Sequence, residues 1–122
     1  MLITIFTTGC FSSLPTIGLA PVDEIDILIL ESFPVQIHVI ARGNLPDPCT
    51  KISEVLQEKE GNTFFITIKT YRSPGFCIQV IAPFEEIIPL EVYGLTAGTY
   101  TVDVNGVQAA FDLEVDNILL KE

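Results

Sequence analysis

Apolar and polar side chains alternate with a period of two on both sides of the dipeptide Asn105-Gly106. Such alternation is typical of a strand with one buried and one solvated face. Asn and Gly tolerate the positive φ angles that a two-residue type I′ turn requires. The pattern therefore predicts an antiparallel hairpin packed on a core. Its predicted buried positions are Tyr100, Val102 and Val104 before the turn, and Ala109, Phe111, Leu113 and Val115 after it.

Similar short runs recur upstream, separated by residues that break strands. The predicted strands are residues 23–30, 35–42, 51–60, 63–70, 77–81 and 87–92. Clusters of Gly, Pro and Asn predict loops at residues 43–48 and 71–76. Without a convincing helix, this spacing predicts an all-β sandwich of seven or eight strands.

The run 51–60 fits two interpretations. Its Glu, Lys and Gln residues favour a helix. However, Gly61-Asn62 follows it, and residues 63–70 alternate clearly as a strand. We therefore predict a hairpin whose first strand is 51–60, with a bulge near Glu54-Val55 where the alternation breaks.

The motif Leu95-x-x-Gly98-x-Tyr100 resembles the tyrosine corner of immunoglobulin-like and fibronectin type III-like sandwiches. The resemblance implies that Tyr100 begins the penultimate strand and bonds back to the preceding corner through its hydroxyl. Leu95 would be its packing neighbour and Gly98 the turn residue. Since the chain has no Trp and Cys77 precedes Tyr100, the fibronectin kind fits better than the antibody kind. The implied fold is an immunoglobulin-like antiparallel β-sandwich ending in the C-terminal hairpin; another all-β fold with such a hairpin is the alternative.

Length and charge narrow the class of protein. A chain of 122 residues is one domain, large enough to bury a core without metals. Sixteen acidic and six basic residues give a net charge of −10, which repels nucleic acid and anionic membrane surfaces. We therefore expect no nucleic-acid partner. With 48% hydrophobic residues, the acidic surface also favours solubility.

Residues 1–22 carry no charge, and Thr7-Thr8-Gly9-Cys10 within them resembles a bacterial lipobox. The resemblance implies a lipidated Cys10, membrane attachment only through that lipid, and a secreted or surface-anchored protein. Because no basic residue precedes Arg42 and the apolar run is short, an edge strand at 2–6 is the alternative. The predicted organisation is a signal, lipobox or tether segment at 1–22, the sandwich at 23–117 and a tail at 118–122.

The cysteines Cys49 and Cys77 are predicted to form a disulfide. If 51–60 pairs with 63–70 about Gly61, Cys49 faces the region of Ser73. Cys77 follows after a Pro-Gly turn that can fold it back to the same open end of the hairpin. A disulfide would indicate an oxidising compartment. Two buried free thiols are the alternative, and the spacing lacks a zinc pattern.

The predicted disulfide would hold two loops near each other. Their candidate interaction residues, of types that include those enriched at interfaces, are Leu45, Asp47, Tyr71, Arg72 and Phe76. Asp112, Glu114 and Asp116 are predicted on one solvated face, where weak Ca²⁺ binding is the alternative. A catalytic arrangement would have to use the single histidine, His38, and no nucleophile motif accompanies it. We expect no cofactor and no enzymatic activity.

As a whole, the chain resembles immunoglobulin-like modules of uncharacterised exported bacterial proteins and lipoproteins. The resemblance implies a non-catalytic extracytoplasmic interaction or structural module. It would bind a protein or glycan through loops or a sheet edge. A protease-inhibitor-like protein that uses its Pro-rich loops is the alternative function.

Overall fold

The computed structural model describes residues 16–30, 32 and 34–117, which form eight strands in two sheets. The described part of the chain is all-β, as the alternation predicts, and contains no helix that could cross a membrane. The strands are β1 (Thr16–Leu19), β2 (Val22–Leu30), β3 (Gln36–Leu45), β4 (Thr50–Glu60), β5 (Thr63–Arg72), β6 (Ala82–Pro89), β7 (Gly98–Val104) and β8 (Val107–Leu113).

The larger sheet is organised around β5, and the smaller sheet has the order β2-β3-β6. β4 pairs with β5 along its whole length. The other edge of β5 is shared, because residues 63–66 pair with β7 and residues 69–72 pair with β1. β8 extends the sheet beyond β7. The neighbour of β5 therefore changes near Ile68.

One strand pair departs from the expected antiparallel arrangement. β5 and β7 run parallel, whereas the other pairs in the described residues run antiparallel. The chain between them crosses to the smaller sheet, forms β6 and returns. A parallel pair needs such a long crossover, because a short turn only reverses the chain.

The core lies between the two sheets and is built from alternate residues of the central strands. On the larger sheet, the rings of Phe64, Tyr100 and Phe111 pack together, with centroids 5.6–6.2 Å apart. The smaller sheet contributes aliphatic side chains opposite them. The buried residues of the core are Ala20, Ile37, Val39, Ala41, Leu45, Phe64, Ile66, Ile68, Ile88, Leu90, Val92, Tyr100, Val102, Val104, Phe111 and Leu113.

The β4–β5 hairpin has the register that the sequence predicts. Thr50 lies opposite Arg72, which places Cys49 beside Ser73 at the open end. The ladder shifts between Ile52 and Glu54, so the bulge lies within one or two residues of the predicted position. The extra residue absorbs the break in alternation.

The described part of the predicted N-terminal segment pairs with the sandwich. Residues 16–19 form β1 and pair with β5, and Ala20 is buried in the core. A short apolar edge strand gains these backbone bonds even though its sequence shows no alternation. Cys10 and the predicted strand at 2–6 lie outside the described residues, as does the predicted tail at 118–122.

Two predicted loops begin too early. β3 continues through Gly43 to Leu45. The Pro21 carbonyl approaches position 43 so closely that a Cβ there would collide with it, so this glycine is part of the strand and not a signal of its end. β5 likewise continues to Arg72 and includes Tyr71. Cross-strand pairing has overridden the breaker signals at both places.

The predicted strands near β6 and the end of β8 also need correction. Residues 77–81 are irregular, and the strand predicted at 87–92 is shifted, since β6 spans Ala82–Pro89. β6 is an edge strand with Pro89 as its last residue, which agrees with the expected confinement of that proline. Val115 is exposed rather than buried because β8 ends at Leu113.

Candidate interaction surface

A disulfide joins the two connections at one end of the sandwich. Cys49 lies in the turn between β3 and β4, Cys77 lies between β5 and β6, and their Cα atoms are 6.3 Å apart. The predicted pairing of these cysteines is therefore confirmed. It holds residues 73–81 against the open end of the β4–β5 hairpin.

Asp47 organises the turn that carries Cys49. Its carboxylate accepts hydrogen bonds from the Cys49 backbone N–H at 3.0 Å and from the Thr50 hydroxyl at 2.9 Å. Arg72 donates from Nε to the other carboxylate oxygen at 3.0 Å. Burial raises the pKa of Asp47, but the hydrogen bonds from Arg72, Thr50 and Cys49 outweigh it and hold the pKa below its usual value. The turn is thus fixed on both sides of the disulfide.

Residues 73–81 form an irregular connection that displays large apolar side chains. Phe76 is 93% exposed, and Ile78, Val80 and Ile81 are between 54% and 67% exposed. We call residues 73–81 the apolar loop. Single exposed apolar residues are ordinary, but a concentrated group indicates a contact surface. The disulfide fixes the middle of this loop while its side chains remain in solvent.

The apolar loop is also free of charge. No Asp, Glu, Lys or Arg occurs between Arg72 and Glu85. Arg72 itself is paired with the buried Asp47. A chain with a net charge of −10 therefore keeps its acidic residues away from this loop in sequence.

The candidate interaction residues separate into three groups in the structure. Leu45 and Asp47 are buried, so they support the turn and cannot meet a partner. Arg72 is partly exposed but is held by Asp47. Tyr71 and Phe76 are exposed and available for contact.

The Tyr100 hydroxyl bonds to the connection that precedes β7. The Tyr100 hydroxyl donates to the Thr96 carbonyl at 2.7 Å, while the Tyr100 ring is buried. Leu95 is partly buried against the core, and Gly98 begins β7. The hydroxyl thus ties the start of β7 to the connection before it.

The polar residues singled out in the sequence lie on the surface. His38 lies on the outer face of β3, opposite Leu28 and Pro89. Of the acidic trio, only Asp112 is in β8; it accepts a bond from Thr99, and Asp116 accepts one from the Ala97 backbone N–H. The predicted common face therefore does not form beyond Leu113, where the strand ends.

Arg42, on the smaller sheet, has structural partners. Arg42 donates to Asp26 and Glu85 and lies near Glu24, and these bonds raise its pKa above the usual range.

Possible metal-ligand atoms lie within 4.8 Å of one another on Asp47, Cys49 and Cys77. Because the two sulfurs are bonded to each other, neither supplies the thiolate that a metal needs.

Sequence reasoning missed Ile78, Val80 and Ile81 as surface residues because their spacing fits a strand. The signal that could have found them is their context. Pro74-Gly75 precedes them, Pro83 follows, and a cysteine committed to a disulfide fixes one end of the short run.

Comparisons with known proteins place this architecture in a family. Residues 39–113 match the family described as the ORF11 beta-sandwich domain. No solved structure matches the chain.

Similar proteins of matching extent occur in Herpetosiphon aurantiacus. The "Uncharacterized 10.2 kDa protein in HgiCIIM 5'region" is 39% identical over 93 residues, which cover 75% of this chain and 98% of that protein. The "Uncharacterized 10.2 kDa protein in HgiBIM 5'region" is 40% identical over 83 residues, covering 67% of this chain and all of that protein. The chain therefore belongs to the ORF11 beta-sandwich domain family.

Proposed function

We propose that this protein is a non-catalytic interaction module that acts outside the cytoplasm and makes contact through the apolar loop. The observation that carries the proposal is the concentration of Phe76, Ile78, Val80 and Ile81 in solvent on a loop fixed by a disulfide. A fixed loop loses little conformational entropy when it binds, which favours its use as a contact surface.

The disulfide supports the proposed location. Disulfides persist in oxidising compartments and are rare where thiols are kept reduced. In this proposal the module is secreted or anchored by a lipid on Cys10. The Tyr100–Thr96 hydrogen bond supports the further proposal that the sandwich is of the immunoglobulin-like kind.

The composition of the loop bears on the kind of partner. A glycan is held by several hydrogen bonds together with aromatic stacking, whereas residues 73–81 offer few polar side chains. An apolar surface instead favours a partner that is itself apolar.

Site-specific photo-crosslinking tests this function in the source cell. A photoreactive phenylalanine analogue replaces Phe76 in the full chain, and the matched control carries it at Phe65, a half-exposed residue on the outer face of β5. We expect the analogue at position 76 to crosslink to a molecule of the cell envelope and the control to give no such product. Equal labelling from both positions, or none from position 76, would contradict the proposal.

Protease inhibition is a second candidate function, favoured by one observation. Phe76 directly precedes a disulfide-bonded cysteine and is 93% exposed, so a protease could receive its side chain in a pocket. The purified protein would then inhibit at least one member of a panel of serine and cysteine proteases, and Phe76→Ser would abolish the inhibition. A panel with no inhibited member removes this candidate.

A further inference from the structure

The chain enters the fold beside the apolar loop. Thr16, at the start of β1, lies opposite Arg72, the last residue of β5. Arg72 directly precedes the apolar loop. Cys10, which lies outside the described residues, is six positions before Thr16 in the sequence.

The connections between other strands at this end also carry few charged residues. β3 ends there at Leu45 and β6 begins there at Ala82, because these two residues lie opposite each other. The turn between β3 and β4 contains a single charged residue, Asp47, which is buried and paired. β2 also begins at this end, where the Asp23 carboxylate accepts a hydrogen bond from the Asn44 side chain. This end of the sandwich therefore combines the exposed apolar side chains of an uncharged loop with few charged groups.

The distribution of charge decides which end of the molecule can approach a bilayer most easily. The net charge of −10 opposes approach to an anionic lipid surface by most faces. Repulsion between exposed charges weakens beyond a Debye length of about 10 Å. The uncharged loop at this end, which projects aromatic and aliphatic side chains, can meet the surface with less repulsion than the charged faces. Large apolar residues at such an end are typical of segments that enter the boundary between headgroups and acyl chains.

We propose that the apolar loop is a membrane-contact element, which inserts Phe76, Ile78, Val80 and Ile81 into the interfacial region of a lipid bilayer. The inference rests on the proposed function, because it names the partner of the same loop. A lipid on Cys10 would hold the molecule with this end towards the membrane. The loop would then fix the orientation of the sandwich and direct β7, β8 and the opposite end away from the surface.

Tryptophan fluorescence tests the insertion directly. The chain has no tryptophan, so Phe76→Trp in the full chain gives a single reporter, and Phe65→Trp is its matched control. Cys10→Ser in both proteins removes the acylation site, so that the loop alone is measured. With vesicles of phosphatidylethanolamine and phosphatidylglycerol, we expect a blue shift and quenching by brominated acyl chains at position 76 only. The absence of a shift at position 76, or an equal shift at both positions, would overturn the proposal.

Vesicle flotation measures the contribution of the side chains. The Phe76→Ser/Ile78→Ser variant should float with the vesicles at least tenfold less than the wild-type chain, in both cases with Cys10→Ser. The matched control Leu56→Ser/Phe65→Ser alters two half-exposed residues on the outer face of the larger sheet and should float like the wild type. A wild-type chain that fails to float, or a loop variant that floats equally well, would overturn the inference. If position 76 nevertheless crosslinks to an envelope protein, the proposed interaction function stands without the membrane.

Discussion

The side-chain amide of Asn105 pairs with the backbone of Ile68 in the way that a neighbouring strand would. Asn105 Oδ1 accepts from the Ile68 N–H at 2.9 Å, and Asn105 Nδ2 donates to the Ile68 carbonyl at 3.0 Å. The same Nδ2 donates to the Ala20 carbonyl at 2.9 Å. These bonds fill the point where the neighbour of β5 changes from β7 to β1. Asn105, in the turn between β7 and β8, thus connects that hairpin to β5 and to Ala20, the residue that follows β1.

Replacing Asn105 by glycine should therefore destabilise the fold. Glycine keeps the positive φ of 49° but removes the amide, so backbone groups of Ile68 and Ala20 lose their partner. We expect the free energy of unfolding to fall by about 2–4 kcal/mol. Chemical denaturation checks this. Asn62→Gly, in the other hairpin turn, controls for the entropy of the unfolded chain and should cost less than about 1 kcal/mol; equal losses would contradict the bridging role.

Tyr100→Phe isolates the hydroxyl of the corner. It removes the 2.7 Å bond to the Thr96 carbonyl and keeps the buried ring. We expect the free energy of unfolding to fall by about 1–2 kcal/mol with the fold unchanged, as measured by denaturant melts and circular dichroism. Tyr93→Phe, at a tyrosine that is 63% exposed, is the control and should leave the midpoint unchanged. An unchanged midpoint for Tyr100→Phe would show that the hydroxyl does not stabilise the fold.

The disulfide should make a large contribution to stability. Cys49 and Cys77 are separated by 28 residues, and closing a loop of that length stabilises by about 3–4 kcal/mol in the chain-entropy description. Paired Cys49→Ser and Cys77→Ser substitutions should lower the free energy of unfolding by that amount. Mass spectrometry of a non-reduced digest should first show the two cysteines in one linked peptide. Alkylation of Cys77 in denaturant without reductant would contradict the pairing.

Asp47 predicts a specific dependence of stability on pH. Its pKa is lower in the folded protein than in the unfolded chain, because hydrogen bonds from Arg72, Thr50 and Cys49 outweigh burial. A lowered pKa contributes stability that is complete above the unfolded value of about 3.9 and is lost as the pH falls through the folded value. The difference in stability between the wild type and Asp47→Asn should therefore be greatest near neutral pH and shrink below about pH 4. A difference that stays constant down to pH 2 would show that the carboxylate charge is not involved.

Two truncations separate the role of β1 from that of the residues before it. Removing residues 1–20 deletes β1, exposes the β5 edge at 69–72 and empties the buried site of Ala20. Relative to a chain that lacks only residues 1–15, we expect a further loss of about 2 kcal/mol or more in the free energy of unfolding. Thermal melts of the two truncated proteins measure the difference. Equal melting temperatures would mean that β1 adds nothing to the fold.

Much of the fold could be predicted because local patterns agreed with the long-range structure. The dipeptide Asn105-Gly106 defined one hairpin, and the alternation about Gly61 defined another well enough to bring Cys49 near Cys77. In both cases turn chemistry and strand period act over a few residues. Such information is fully present in the sequence.

The parts that could not be predicted depend on side chains that replace a backbone partner. Asn117 is buried and bonds to the backbone of Val35 and Val92, which are far from it in the sequence. Gln57 similarly connects β4 to Pro89 and Glu91. An isolated Asn or Gln gives no pattern in one sequence, because its partners are set by the packing of the two sheets. The same holds for the exposure of Ile78 and Val80, whose spacing alone is typical of a strand.

The separation of the apolar loop from the core has an evolutionary consequence. Phe76, Ile78, Val80 and Ile81 contribute little to the buried core, while Cys77 and the Asp47–Arg72 pair keep their backbone in place. Substitutions at these four exposed positions should therefore cost little folding stability. Under the contact role that we propose, the loop could vary between members of the family on one scaffold, and a loop grafted between two members should carry its contact preference with it.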